Sequence, residues 1–198
     1  PLAIGAKDLW VTYPYGQFTS YLVNGGDDIL NKMGEIKNPF QEGSPVYNGY
    51  KKVNELFSLK PAGDNPLGYG WSQATNMFLS KKAAMLAAGQ WYYKSYMEEA
   101  PEADKSDLGM FLMPIRDNKD EKFRYFVTGE VFLAIPTTSK NQQEAKEFLN
   151  WFFASDYYQD YINYMQVLPA TENVKIENSP FGEVLEKTEN KEAVYQIP

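Results

Sequence analysis

The sequence contains no cysteine and no histidine. Their absence excludes disulfide bridges, thiolate zinc sites, imidazole metal ligands and any nucleophile activated by a Cys–His or Ser–His pair. An enzyme built on this chain is restricted to carboxylates, tyrosine, lysine and backbone groups. Arginine is almost as scarce: Arg116 and Arg124 are the only guanidinium groups among 19 cationic residues, which face 26 Asp and Glu, and the formal net charge is −7. The lysines are scattered among carboxylates. Neither a phosphate backbone nor an anionic membrane surface therefore meets the clustered cations it requires, and nucleic acid is not an expected partner. No apolar run of about 18 residues occurs, so no membrane span is expected. The missing cysteine leaves the compartment open, since both a reducing cytosol and an exported protein without bridges tolerate it. The chain opens on Pro1-Leu2-Ala3-Ile4 with no initiator Met and no signal segment, so it is expected to be a piece of a longer polypeptide.

Aromatic residues, by contrast, are abundant. The 198 residues include 15 Tyr, 12 Phe and 4 Trp, and 43% are hydrophobic, which is enough for one sizeable core. Tyr and Trp pair a large apolar face with a polar handle, so part of this set is expected at a recognition surface.

Along the chain, "PLAIGA" reads as a strand feeding a turn, and Phe18, Tyr21 and Leu22 mark a helix stopped by Gly25-Gly26. Val46, Tyr50, Val53, Leu56 and Phe57 lie on one helical face. A further helix is expected from Ser72 as N-cap through Met77 and Phe78. Ala83 to Leu86 reads as a short buried strand, Gly89 lets the backbone turn, and Trp91 then stands at the C-terminal end of that strand, where open α/β sheets place ligands. Leu108–Pro114 and Phe126–Pro136 read as further strands, the second interrupted at Gly129-Glu130. Ser139 to Gln142 has capping-box spacing before an amphipathic helix reaching Ala154. A second helix starts at Ser155 or Asp156 and stops before Pro169, and a last one runs from about Ser179 to Asn190. Strands alternating with helices give an α/β class without internal repeats.

The carboxylate pairs Asp27-Asp28, Glu98-Glu99, Asp104 with Asp107 and Asp117 with Asp120 fall in hydrophilic loops and helix ends, and no calcium-loop motif appears. They read as solvated charges, so neither a catalytic dyad nor a metal site is expected.

Several motifs occur together and in order. Tyr13, Pro14 and Tyr15 precede a helix and Gly25-Gly26. Phe78 to Met85 is followed by Gly89-x-Trp91 and then by a strand ending at Pro114. Gly129 precedes "LAIP", after which come "TSKNQQEAKEFLNWFFAS" and "LPAT" at Leu168 to Thr171. This order and spacing resembles the extracellular solute-binding proteins of ABC importers, the family that includes maltose-binding protein. Ser80-Lys81-Lys82 departs from the Gly-Lys common in the family. The resemblance implies a periplasmic-binding-protein-like α/β fold of two lobes joined by a hinge, of which this chain holds mainly the C-terminal lobe. On that reading residues 1–128 belong to the C-terminal lobe, 129–170 cross to the N-terminal lobe and 171–198 return, with most of the N-terminal lobe absent.

Trp91 is the first candidate site residue. By resemblance its position stacks on a pyranose ring, although an indole packed in the core fits the same pattern. Tyr15 matches a cleft-lining position and Tyr13 precedes it where some relatives carry a carboxylate; both can equally pack as turn aromatics. Glu130 and Gly129 lie at the lobe crossing, where Glu130 can accept from vicinal hydroxyls or remain solvated. Trp71, after a Gly-rich loop, and Trp10 complete the set, while Trp151 is expected to pack. The face formed by Phe148, Leu149, Phe152 and Phe153 is expected to need a covering partner.

The expected function is that of an extracytoplasmic, periplasmic or lipid-anchored receptor that delivers a small polar solute, an oligosaccharide above all, to ABC permease subunits by hinge closure. No cofactor and no catalysis are implied. The alternatives are a carboxylate-dependent carbohydrate enzyme and a non-transport interaction module on the same fold.

Overall fold

The computed structural model describes residues 1–24, 34–129 and 131–196. Gly25-Gly26 and Asp27-Asp28 lie outside the described residues. The chain folds into two compact units, one made of Pro1–Ala88, Phe111–Thr128 and Lys187–Pro198, the other of Gly89–Met110 and Gly129–Glu186.

In the first unit, strand β1 (Leu2–Ala3) pairs in parallel with β2 (Met85–Leu86), Leu2 opposite Met85. Three helices fall between them: α1 (Gln17–Asn24), α2 (Pro45–Ser58) and α3 (Trp71–Leu79). Helix α2 starts where the sequence supplies a cap. Ser44 Oγ accepts the Tyr47 N–H at 3.2 Å, and Pro45 occupies the first turn, where its missing donor costs nothing. Val53, Leu56 and Phe57 of α2 pack on the cluster of Ile4, Ala6 and Tyr15, while Tyr50 on the same predicted face is half exposed against Phe40. Helices α1 and α2 touch where Gly49 lies on Ser20; a Cβ at Gly49 would stand 2.2 Å from Ser20 Oγ. A second parallel pair, β3 (Phe123–Thr128) with β4 (Lys191–Gln196), sets Phe126 against Tyr21, Leu22 and Val194. The aromatic and β-branched content of "FRYFVT" suits it to this half-buried surface.

The second unit contains four helices, α4 (Tyr92–Glu99), α5 (Gln142–Ala154), α6 (Asp156–Met165) and α7 (Pro180–Lys187), the last residue of α7 belonging to the first unit. Its core is Tyr158, Ile162 and Val174, covered by Phe152, Phe153, Val167 and Ile176. Along α6, side chains at i, i+4 and i+7 grip the segment that follows. Gln159 exchanges hydrogen bonds with both backbone groups of Lys175, Asn163 Oδ1 accepts the Glu177 N–H, and Gln166 Nε2 donates to Glu177 O. Gln166 closes the helix in the left-handed region at φ 55°.

Five strand and cap expectations change. Ala83–Leu86 yields only the two-residue β2, and Met85 is 43% exposed because β1 is the single neighbour of β2 among the described residues. Leu108–Pro114 forms no strand. The strand expected at Phe126–Pro136 instead runs from Phe123 to Thr128, and Val131, Phe132 and Leu133 beyond it are exposed. An apolar run of this kind needs neighbours on both faces to be buried. Helix α5 has the predicted end at Ala154, but its N-cap is Asn141, with Ser139 Oγ accepting the Asn141 N–H. Helix α3 begins at Trp71, one residue before the expected cap, with the Gly70 N–H donated to Gln73 Oε1.

Candidate functional site

Within the first unit, three constraints position Trp71. Gly5 passes so near the start of α3 that a Cβ on it would lie 2.5 Å from both Gly70 C and Trp71 N. The Lys7 N–H donates to Tyr69 O at 3.2 Å. Asp8 Oδ2 accepts the Trp71 backbone N–H at 2.7 Å. The first N–H groups of a helix have no partner inside it, so this carboxylate satisfies one and also meets the positive end of the helix dipole. A Cβ on Gly70 would stand 2.6 Å from Asp8 Oδ2, so a side chain there would push the carboxylate aside.

The short 3-10 turn at Leu9–Thr12 then carries Trp10 beside Trp71. The two ring centroids are 5.0 Å apart, tilted by 54°, with Trp10 43% exposed and Trp71 partly buried. The result is a wedge of two indoles with a carboxylate at its root, and Asp8 Oδ1 makes no hydrogen bond among the described residues. Flat apolar rings next to an acceptor suit a ligand that combines C–H patches with hydroxyl donors.

Tyr13 follows on the same turn and is half exposed. Tyr15, two residues on, is a core side chain. It is 4% exposed, edge-on to Phe57 with centroids 5.5 Å apart, and its hydroxyl is buried without a partner. Burial raises its pKa. The Tyr15 N–H bonds to Thr12 O, which turns the ring inward onto Ile4 and Ala6.

Trp91 belongs to the second unit, at the N-terminus of α4. It is partly buried and edge-on to Tyr92 at 6.2 Å. Its indole folds back over Gly89, where a Cβ would sit 2.3 Å from Nε1, so the spacing Gly-x-Trp has a steric cause. Burial pushes the neighbouring Tyr92 up to about 12. In the same unit, Gln90, Tyr93, Gln166, Ser179 and Phe181 line a slight surface depression, and Gln166 Oε1 and Ser179 Oγ make no hydrogen bond to a protein partner among the described residues. Gly129 abuts the Phe132 ring, with a would-be Cβ contact of 3.2 Å, and Glu130 lies outside the described residues.

The candidates therefore fall into two groups, Trp71, Trp10 and Tyr13 in the first unit and Trp91 with Gly129 in the second. Asp8 is the functional candidate that the sequence reading overlooked. Its signal is present in Asp8-x-Trp10 together with Gly70-Trp71, but the two halves of that signal are far apart in the chain.

The family model for bacterial extracellular solute-binding proteins matches residues 2–159. Among solved structures, the apo form of RafE from Streptococcus pneumoniae aligns with 98% of this chain at a TM-score of 0.71 and 22% identity. The aligned part is 50% of the RafE chain, so this chain spans about half the length of that protein. No curated protein gives a match. At this identity the likeness establishes the fold, a partial two-lobe α/β solute-binding architecture.

Proposed function

Because the chain belongs to the family of bacterial extracellular solute-binding proteins, we propose that it forms the ligand-contacting part of a receptor for a neutral oligosaccharide, which hands its ligand to an ABC permease outside the cytoplasmic membrane. The observation that carries the reading is the open indole wedge of Trp10 and Trp71 beside the Asp8 carboxylate. Sugars present apolar C–H faces framed by hydroxyl donors, and that surface answers both features. In the second unit, Trp91, held over Gly89, presents an aromatic face of its own. No helix among the described residues is long and apolar enough to cross a membrane.

Such a receptor works by population shift. A ligand that binds the closed form better than the open one moves the equilibrium by its differential affinity, and closure creates the surface that the permease reads. Aromatic stacking supplies affinity, and polar side chains fix orientation.

The test is a tryptophan-fluorescence titration of the protein against a panel of mono- and oligosaccharides, with Trp91→Ala and Trp71→Ala alongside. A saturable change that weakens in these variants, with the sugar recovered unaltered, supports the receptor. A folded protein that responds to no sugar overturns the carbohydrate reading, and a cleaved sugar establishes an enzyme.

A further inference from the structure

We infer that Asp8 is a specificity-determining residue, which admits ligands that offer a hydroxyl donor at the Trp10–Trp71 wedge and rejects those that place a carboxylate there. This rests on the carbohydrate reading above.

The two oxygens of Asp8 have different tasks. Oδ2 is committed to the Trp71 backbone N–H at 2.7 Å, a bond that fixes the side chain's direction as well as the start of α3. Oδ1 makes no hydrogen bond among the described residues, and the side chain is exposed. The carboxylate occupies space left by Gly70, where a Cβ would stand 3.4 Å from Oδ1 and 2.6 Å from Oδ2. A carboxylate accepts and cannot donate, so a ligand that takes the place of solvent at Oδ1 must itself bring a donor. The full negative charge of Asp8 attracts a hydroxyl donor brought to the adjoining rings and repels a second anion placed there. If Asp8 served only to cap α3, Oδ2 alone would suffice and ligand charge would be immaterial.

The experiment compares each neutral sugar that binds with its C6-carboxylate counterpart, glucose with glucuronate and galactose with galacturonate, by calorimetry on the protein and on Asp8→Asn. In Asp8→Asn the remaining carbonyl oxygen still accepts the Trp71 N–H while the amide turns a donor outward. The protein is expected to prefer the neutral sugar by tenfold or more. Asp8→Asn is expected to bind it roughly 10- to 100-fold more weakly, from the greater strength of hydrogen bonds to charged groups, and to lose most of the discrimination. Near-UV circular dichroism of the coupled indoles reports whether the wedge is intact in the variant. An intact wedge with unchanged affinity and discrimination overturns the proposal and leaves Asp8 a helix cap. Equal binding of a neutral sugar and its uronate by the unaltered protein overturns it without recourse to any variant. A folded protein that binds no mono- or oligosaccharide contradicts the carbohydrate reading itself.

Discussion

Replacing Gly5 by alanine tests how the indole wedge is built. The added Cβ would come within 2.5 Å of Gly70 C and Trp71 N and 2.6 Å of Gly70 O, all backbone atoms that cannot rotate aside. Either β1 or the start of α3 must move, and movement of α3 lengthens the bond from the Trp71 N–H to Asp8 and separates Trp71 from Trp10. Overpacking of this kind costs roughly 1–3 kcal/mol. Weakening a hydrogen bond to a carboxylate adds about 1.5–3 kcal/mol. Against this, alanine lowers the entropy of the unfolded chain relative to glycine, a gain of about 0.4–1 kcal/mol. The net destabilisation is about 2–5 kcal/mol, which for a chain of this size lowers Tm by roughly 4–20 °C. Urea unfolding followed by near-UV circular dichroism reads stability and indole coupling together. Gly109→Ala serves as control, because nothing lies within 4 Å of its would-be Cβ and the change should stay within about 0.5 kcal/mol. If Gly5→Ala matched this control in both stability and indole signal, the tight junction between Gly5 and α3 would not be what positions Trp71.

Two further outcomes follow from the polar contacts. Glu192 on β4 accepts hydrogen bonds from Lys122 and Arg124, and these, Lys122 first, hold its carboxyl below the ordinary value of 4.5. A depressed folded-state value contributes stability that is fully present above 4.5 and is lost as pH falls through the folded value. The protein and Glu192→Gln should therefore differ in thermal stability at neutral pH and converge on acidification below 4.5, and a gap that persists in strong acid would refute the assignment. In the second unit, Asn163→Ala removes the acceptor of the Glu177 N–H and one of the two acceptors of Gln159 Nε2, while both Gln159 bonds to the Lys175 backbone keep their partners. Hydrogen exchange should quicken at Glu177 by roughly the fivefold that about 1 kcal/mol represents and change less at Lys175, whose acceptor Gln159 Oε1 remains; equal protection at Glu177 would show that Asn163 does not hold it.

The helices were legible because their signals are local. Ser44-Pro45 announces the start of α2, and the apolar spacing of Ala145, Phe148, Leu149 and Phe152 announces α5. The strands were less so. "LGMFLMP" and "VFLAIP" carry strand composition, yet a strand exists only where a neighbouring chain supplies the ladder, and β3 found its partner in "KEAVYQ", a segment whose charged opening gave no warning. Trp151, expected to pack, lies at a tilt against Phe148 and Tyr157 and is nevertheless 50% exposed.

The site divides in the same way. The sequence by itself determined the stock of recognition chemistry: aromatics in abundance, acceptors, no imidazole, no thiol and almost no guanidinium. It also determined Gly89 beneath Trp91, since two residues of separation suffice for that contact. Tertiary structure alone decided that Tyr15 turns into the core while Tyr13 stays outside, and that Asp8 reaches Trp71. Side-chain chemistry is written residue by residue. Its direction is set by backbone packing between segments far apart in the chain, here Gly5 against Gly70, and that packing is settled only when the whole unit folds.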